Sequence, residues 1–125
     1  MVRTAAKVLG AIFVVIGVLG FVPAFTPDGN LLGIFHVNEV HNIIHIASGL
    51  VALAAGFSSY AHSRLYFQVF GVVYALVAVL GLVYGDEPIL GLVASNLADT
   101  LLHIAIAAAA LYLGFGTPKE DAARV

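Results

Sequence analysis

The 125-residue chain contains no cysteine and no tryptophan, and only 10% of its residues carry a full charge. Without cysteine there are no disulfides, no cysteine-ligated iron–sulfur clusters and no thiol chemistry. Soluble domains usually carry about 25% charged residues, so water is not expected to be the main solvent of this chain. The five Lys and Arg residues are scattered and the net charge is -2, which argues against nucleic acid as a partner.

The residues that are abundant are apolar: 62% of the chain is hydrophobic, and these residues fall into four runs. The runs lie at 8–22, with a possible extension over 4–7, and at about 37–56, 65–85 and 97–116. Helices over these runs match a hydrocarbon core of about 30 Å. The sequence predicts an all-α polytopic membrane protein with four transmembrane helices. Residues 1–125 would form a single integral membrane domain, with a polar C-terminal tail at 117–125. A cleavable signal peptide is the alternative for the first run, but no small-x-small site follows it.

The basic residues indicate the orientation in the membrane, because Lys and Arg accumulate in cytoplasmic loops. Under the four-helix prediction all of them fall on one side, and the acidic residues at the opposite helix ends and loops are accompanied by no Lys or Arg. The basic residues are Arg3, Lys7, Arg64, Lys119 and Arg124, and the acidic residues opposite are Asp28, Glu39, Asp86 and Glu87. Both termini are therefore predicted to be cytoplasmic.

An internal repeat relates the second and fourth runs. Residues 31–57 align without gaps onto 89–115, and the pairs Asn38 with Asn96 and His45 with His103 are identical. This similarity predicts a duplicated helical hairpin, with repeat 1 at about 4–57 and repeat 2 at about 65–115. Parallel repeats in membrane proteins are usually related by an axis along the membrane normal. We therefore expect His45 and His103 to face each other.

Polar residues lie one helical turn apart in both copies. His41 and His45 share a face of the second helix, and Asp99 and His103 take the equivalent positions in the fourth. On a structural interpretation Asn38 and Asn96 are helix N-caps, and Asp99 bonds back to its cap. The deeper histidines would then hydrogen-bond across helices. Small residues below them would bring the second and fourth helices close together. These residues are Ser48, Gly49, Ala52 and Gly56 on one helix, and Ala107, Ala110 and Gly114 on the other.

Two ligand-binding interpretations compete with this structural one. His41, His45, Asp99 and His103 offer three imidazoles and a carboxylate, a ligand set suited to zinc or a non-haem transition metal. Ionisable groups inside a membrane are costly, and this cost favours a functional role. Alternatively, His45 and His103 are axial ligands of haem, or one of them ligates a chlorophyll magnesium. Close approach of the helices below the histidines would leave little room for a macrocycle.

Two motifs carry a resemblance to a known family. Asn-x-x-His-Asn-x-x-His at 38–45 and Asn-x-x-Asp-x-x-x-His at 96–103 resemble the bacterial membrane family known as domain of unknown function 4383. The resemblance covers nearly the whole chain and implies four transmembrane helices in a bacterial inner membrane, cytoplasmic or intracytoplasmic. It implies no activity. The matching positions are Asn38, His41, His45, Asn96, Asp99 and His103.

The sequence contains no nucleophile elbow, phosphate loop or dinucleotide fingerprint, so a non-enzymatic role is expected. The chain has little mass outside the membrane, and glycines such as Gly10, Gly17 and Gly71 suit helix partners. These features favour an accessory or scaffold subunit in the lipid bilayer. It would associate with itself or with a larger respiratory or photosynthetic membrane complex. Metal binding through the paired His and Asp positions is the alternative function.

Overall fold

Four long helices make up most of the chain in a computed structural model, which describes residues 1–118. Lys119 and Arg124, which entered the orientation argument, lie outside the described residues. The shortest helix has 18 residues, or about 27 Å, and all four are long and apolar enough to cross a membrane. The prediction of a multi-pass helical membrane protein is confirmed. The helices are α1 Val2–Leu19, α2 Glu39–Ser58, α3 Tyr60–Tyr84 and α4 Leu97–Phe115.

The link between α2 and α3 is shorter than the sequence suggested. The apolar run begins at Leu65, but α3 begins at Tyr60, and Ser59 alone separates the two helices. The Ser59 hydroxyl accepts a hydrogen bond from the His62 backbone N–H at 3.0 Å and so caps α3. Capping lets the polar residues before the run form the first helical turns.

The two connections at the opposite end both contain a tight reversal. After two short 3-10 turns, Pro23–Phe25 and Pro27–Gly29, strands β1 Asn30–Leu31 and β2 Phe35–His36 form an antiparallel hairpin. Its turn residues Leu32 and Gly33 have φ of 55° and 73°. Leu90 and Gly91 repeat these angles, at 55° and 72°, beside a single bridge between Ile89 and Val93. Two consecutive positive φ values are typical of hairpin turns that match strand twist.

Small residues pack the helices into two hairpins, α1 with α2 and α3 with α4. A Cβ added at Gly49 would lie 2.6 Å from the carbonyl oxygen of Gly10, so these backbones are in contact. A Cβ added at Gly114 would lie 2.6 Å from the backbone nitrogen of Gln68. The expectation that small residues bring α2 against α4 is therefore wrong. The glycines of α2 pack against α1 instead, Gly114 of α4 packs against α3, and α2 and α4 have few close backbone contacts.

The hairpins meet through aromatic rings in the centre and through asparagines at one end. The Phe13 and Tyr74 rings lie edge to face with centroids 5.7 Å apart. At the end that carries the β-hairpin, the Asn38 side-chain amide donates to the carbonyl oxygen of Leu92 at 2.9 Å. The Asn96 amide donates to the carbonyl oxygen of Ile34 at the same distance. Each helix cap therefore bonds the turn of the other half and holds the histidine end together.

Candidate metal site

Two capped helix ends position the polar residues. Asn38 Oδ1 accepts from the backbone N–H of His41 at 2.9 Å, and Asn96 Oδ1 accepts from the backbone N–H of Asp99 at 2.9 Å. Asp99 Oδ2 accepts in turn from the backbone N–H of Asn96 at 3.0 Å, which completes a capping box. In α2 the third helical position holds His41 instead, and its ring is free to point elsewhere.

His41 is held by a backbone carbonyl in the preceding loop. Its Nδ1 lies 3.2 Å from the carbonyl oxygen of His36. Because a carbonyl can only accept, Nδ1 carries the proton and donates, which leaves a lone pair on Nε2. That Nε2 atom is buried without a hydrogen-bond partner. This is the arrangement of a metal-ligating histidine, whose second nitrogen usually donates to a carbonyl or carboxylate.

His45 and His103 each stack on an aromatic ring of the neighbouring helix in their own hairpin. The centroid of Phe13 lies 5.3 Å from that of His45 with an interplanar angle of 21°, and Tyr74 lies 6.1 Å from His103 at 27°. The Nδ1 atoms of both histidines are buried without a hydrogen-bond partner. The expected hydrogen bonds across helices are therefore not made by these atoms. Each of the two rings is positioned by its aromatic stacking partner.

The three histidines form a cluster. Ring centroids are 4.5 Å apart for His41 and His45, 6.0 Å for His41 and His103, and 6.4 Å for His45 and His103. One potential ligand nitrogen from each ring lies within 4.8 Å of the other two, and all three residues are buried. Asp99, the fourth residue of the predicted ligand set, is not part of this cluster and is engaged in the capping box. The described residues thus bring together three imidazoles without the carboxylate.

A small cavity adjoins the cluster. Its volume is about 80 Å³, and it is lined by the three histidines, Ser48, Tyr74 and apolar side chains from α2, α3 and the loop before α4. Pockets for organic ligands usually measure about 300–1,000 Å³. The tetrapyrrole interpretation therefore does not fit this space. A metal ion with one small additional ligand does.

Phe13 and Tyr74 are the neighbours of the site that sequence reasoning missed. The signal that could have found them is the match of Val18–Gly20 with Val79–Gly81, an offset of 61 residues. Applied along α1 and α3, the same offset pairs Phe13 with Tyr74 and Gly10 with Gly71. Apolar sequence offers many chance matches, so this register carries little weight until the structure is known.

Comparison with known proteins identifies the family. The sequence profile of "Domain of unknown function (DUF4383)" matches residues 3–116, so the chain belongs to this family and the resemblance of its motifs is confirmed. No curated protein and no solved structure matches the chain. The family is uncharacterised, and no catalytic activity comes with membership.

Proposed function

We propose that this member of the DUF4383 family binds one transition-metal ion inside the membrane bundle. The ligands are His41 Nε2 and one nitrogen each from His45 and His103. The observation that carries the proposal is the convergence of three buried imidazoles, each with a nitrogen that has no hydrogen-bond partner. Leaving a buried polar atom unsatisfied costs about 1–3 kcal/mol, so three in one cluster need a compensating partner. A single cation supplies it.

The spacing of the nitrogens suits a cation after a small local adjustment. A metal at about 2.1 Å from two nitrogens can join atoms at most about 4.2 Å apart, and a tetrahedral site joins atoms about 3.4 Å apart. The nitrogens lie within 4.8 Å of one another. The longest separation therefore has to shorten by up to about 1.4 Å for a tetrahedral site, and we expect rotation of the imidazole rings about their side-chain bonds to contribute to this change. Imidazole ligands suit zinc, copper, iron and nickel.

Metal content of the purified protein tests this proposal. Wild-type protein, isolated in mild detergent and equilibrated with Zn²⁺ before desalting, should retain one ion per chain by elemental analysis. His45→Ala and His103→Ala should retain almost none. His62→Ala is the matched control, because His62 lies at the opposite end of the bundle and its Nδ1 lies 2.7 Å from the Ser58 hydroxyl. Wild-type protein without zinc, or zinc retained equally in all variants, would contradict the proposal.

The proposed topology places the histidine end outside and both termini in the cytoplasm, in a bacterial inner membrane. Arg3 Nε donates to the carbonyl oxygen of Gly56 at 3.0 Å, so Arg3 lies at the same end of the bundle as Arg64, which is near the start of α3. Glu39 and Asp86 lie at the other end. The basic end is expected to face the cytoplasm.

The absence of cysteine makes this topology simple to test. Single cysteines can replace Asp86 and His62, both exposed and at opposite ends. In spheroplasts, whose cytoplasmic membrane is intact and accessible from outside, a membrane-impermeant maleimide should label Asp86→Cys. It should label His62→Cys only after permeabilisation. The reverse pattern would invert the proposed orientation.

The accessory-subunit hypothesis stays a prediction. The glycines that suggested outside partners are used within the bundle: an added Cβ at Gly17 would contact Ile46, and one at Gly71 would contact Leu111. Exposed apolar side chains occur on all four helices, as lipid contact requires, and mark no single face for a partner. Native mass spectrometry from gently solubilised membranes tests the hypothesis, and a free monomer would count against it.

A further inference from the structure

The cavity beside the three histidines has room for more than the metal ion. Its volume of about 80 Å³ corresponds to roughly two or three water molecules at about 30 Å³ each. The side chains around it are mostly apolar, including Ile44, Phe70 and Val73. Structural zinc sites are closed by four protein ligands, whereas sites with three protein ligands keep a position for water or another exogenous ligand. With Asp99 engaged elsewhere, the described residues provide three.

Tyr74 brings a polar group to the same cavity. The residue is 4% exposed, its ring stacks on His103, and its hydroxyl is buried without a hydrogen-bond partner. The Ser48 and Tyr66 side chains lie near this hydroxyl without completing a hydrogen bond to it, so its proton can be donated to a group that enters the cavity. The equivalent residue in the first hairpin is Phe13, which stacks on His45 and has no hydroxyl. The donor is therefore present on one side of the cluster.

We propose that the three-histidine site keeps one coordination position open towards this cavity, where a small anion of two or three heavy atoms binds the metal and accepts a hydrogen bond from Tyr74. The proposal rests on the proposed metal-binding function. The anion forms only the coordination bond to the metal and the hydrogen bond from Tyr74, and water leaves the open position as the anion enters. The size of the cavity selects against larger anions, and its apolar walls strengthen the attraction between anion and metal.

Azide binding to the cobalt-substituted protein tests this inference. Co²⁺ replaces zinc in imidazole sites and reports its coordination through visible absorption bands. Titration with azide should change these bands with saturation in wild-type protein. In Tyr74→Phe the azide affinity should fall about tenfold, since a hydrogen bond to a charged group contributes about 1.5 kcal/mol. The cobalt spectrum before azide is added shows that the variant still folds and binds metal.

Tyr60→Phe is the matched control. Tyr60 lies at the opposite end of α3, away from the cavity, and its hydroxyl donates to the carbonyl oxygen of Pro118 at 2.7 Å. Its azide affinity should equal that of the wild type. Cobalt bands that do not respond to azide would overturn the open position while the metal site stands. An equal loss of affinity in both variants, or none in Tyr74→Phe, would overturn the role of Tyr74. Failure to bind Co²⁺ at all would overturn the proposed function itself.

Discussion

The α1–α2 hairpin and the α3–α4 hairpin use the same contacts at matching places. An added Cβ at Gly10 would meet Leu53, and one at Gly71 would meet Leu111. Turns with positive φ, capping asparagines and ring-stacked histidines also recur in both halves. The recurring positions hold backbones together. They lie at positions that the repeat in the sequence makes equivalent, and they form the framework around the site.

The differences between the two hairpins lie where chemistry is expected. His41 in the first half corresponds to Asp99 in the second, and Phe13 corresponds to Tyr74. The first half supplies two imidazoles and a ring without a hydroxyl, and the second supplies one imidazole and a phenol. Two identical hairpins would place two or four ligands around the symmetry axis that relates them. The asymmetry instead gives three imidazoles, one cavity and one hydroxyl donor.

Making the two hairpins alike at the third residue of α2 and α4 should have the largest effect, and it should act on metal affinity. His41→Asp gives both helices the same third residue and removes one of three ligands. Metal affinity should fall by more than about 100-fold, beyond the loss that a second-shell change causes. Asp99→Asn removes the carboxylate at the equivalent position of α4. It should leave the metal affinity within about threefold, because the Asp99 carboxylate accepts a hydrogen bond from its own helix cap. Competition with a chromogenic chelator measures both. Equal losses in the two variants would place Asp99 in the ligand shell after all.

Gly56 and Gly114 occupy equivalent positions at the end of the bundle away from the histidines, and they should differ in how well they tolerate replacement by alanine. An added Cβ at Gly114 would lie 2.6 Å from the backbone nitrogen of Gln68, whereas the closest atom to a Cβ at Gly56 is the Lys7 side-chain Cγ, at 2.7 Å. Because a flexible side chain moves more easily than a backbone, Gly114→Ala should lower the free energy of unfolding by about 1–3 kcal/mol. Gly56→Ala should cost less than about 1 kcal/mol. Denaturation in mixed micelles compares them, and a larger loss for Gly56→Ala would contradict this packing.

Removing the capping asparagines should lower stability less than Gly114→Ala does. Asn38→Ala and Asn96→Ala each lose a cap and a bond to the opposite turn, so each should lower the free energy of unfolding by about 1–2 kcal/mol. The two losses should be similar, because the hydrogen bond from the backbone N–H of residue 96 to Asp99 Oδ2 survives in Asn96→Ala. Glu39→Gln, an exposed neighbour of Asn38, is the control and should change stability little. An unchanged Asn96→Ala would argue against the bonds between hairpins.

Much of this architecture could be predicted from the sequence, and particular parts could not. Apolar runs, prolines and asparagines predict the helices and the helix ends. This is possible because the surrounding solvent and the capping side chains act on each segment through residues that are close in sequence. The proximity of His45 and His103 follows from the repeat. The packing partner of each small residue does not follow from the repeat. The reason is that α1, α2 and α4 all carry glycine, and any pair of these helices could pack closely. The exclusion of Asp99 also could not be predicted, since a carboxylate at the third helical position suits both a cap and a metal.

X-ray absorption at the zinc edge of the metal-loaded protein shows directly whether three histidines bind the ion. We expect three imidazole nitrogens at about 2.0–2.1 Å and one further light atom, which azide displaces. Fewer than three imidazoles around the ion, a carboxylate in the ligand shell, or no retained zinc would contradict this expectation.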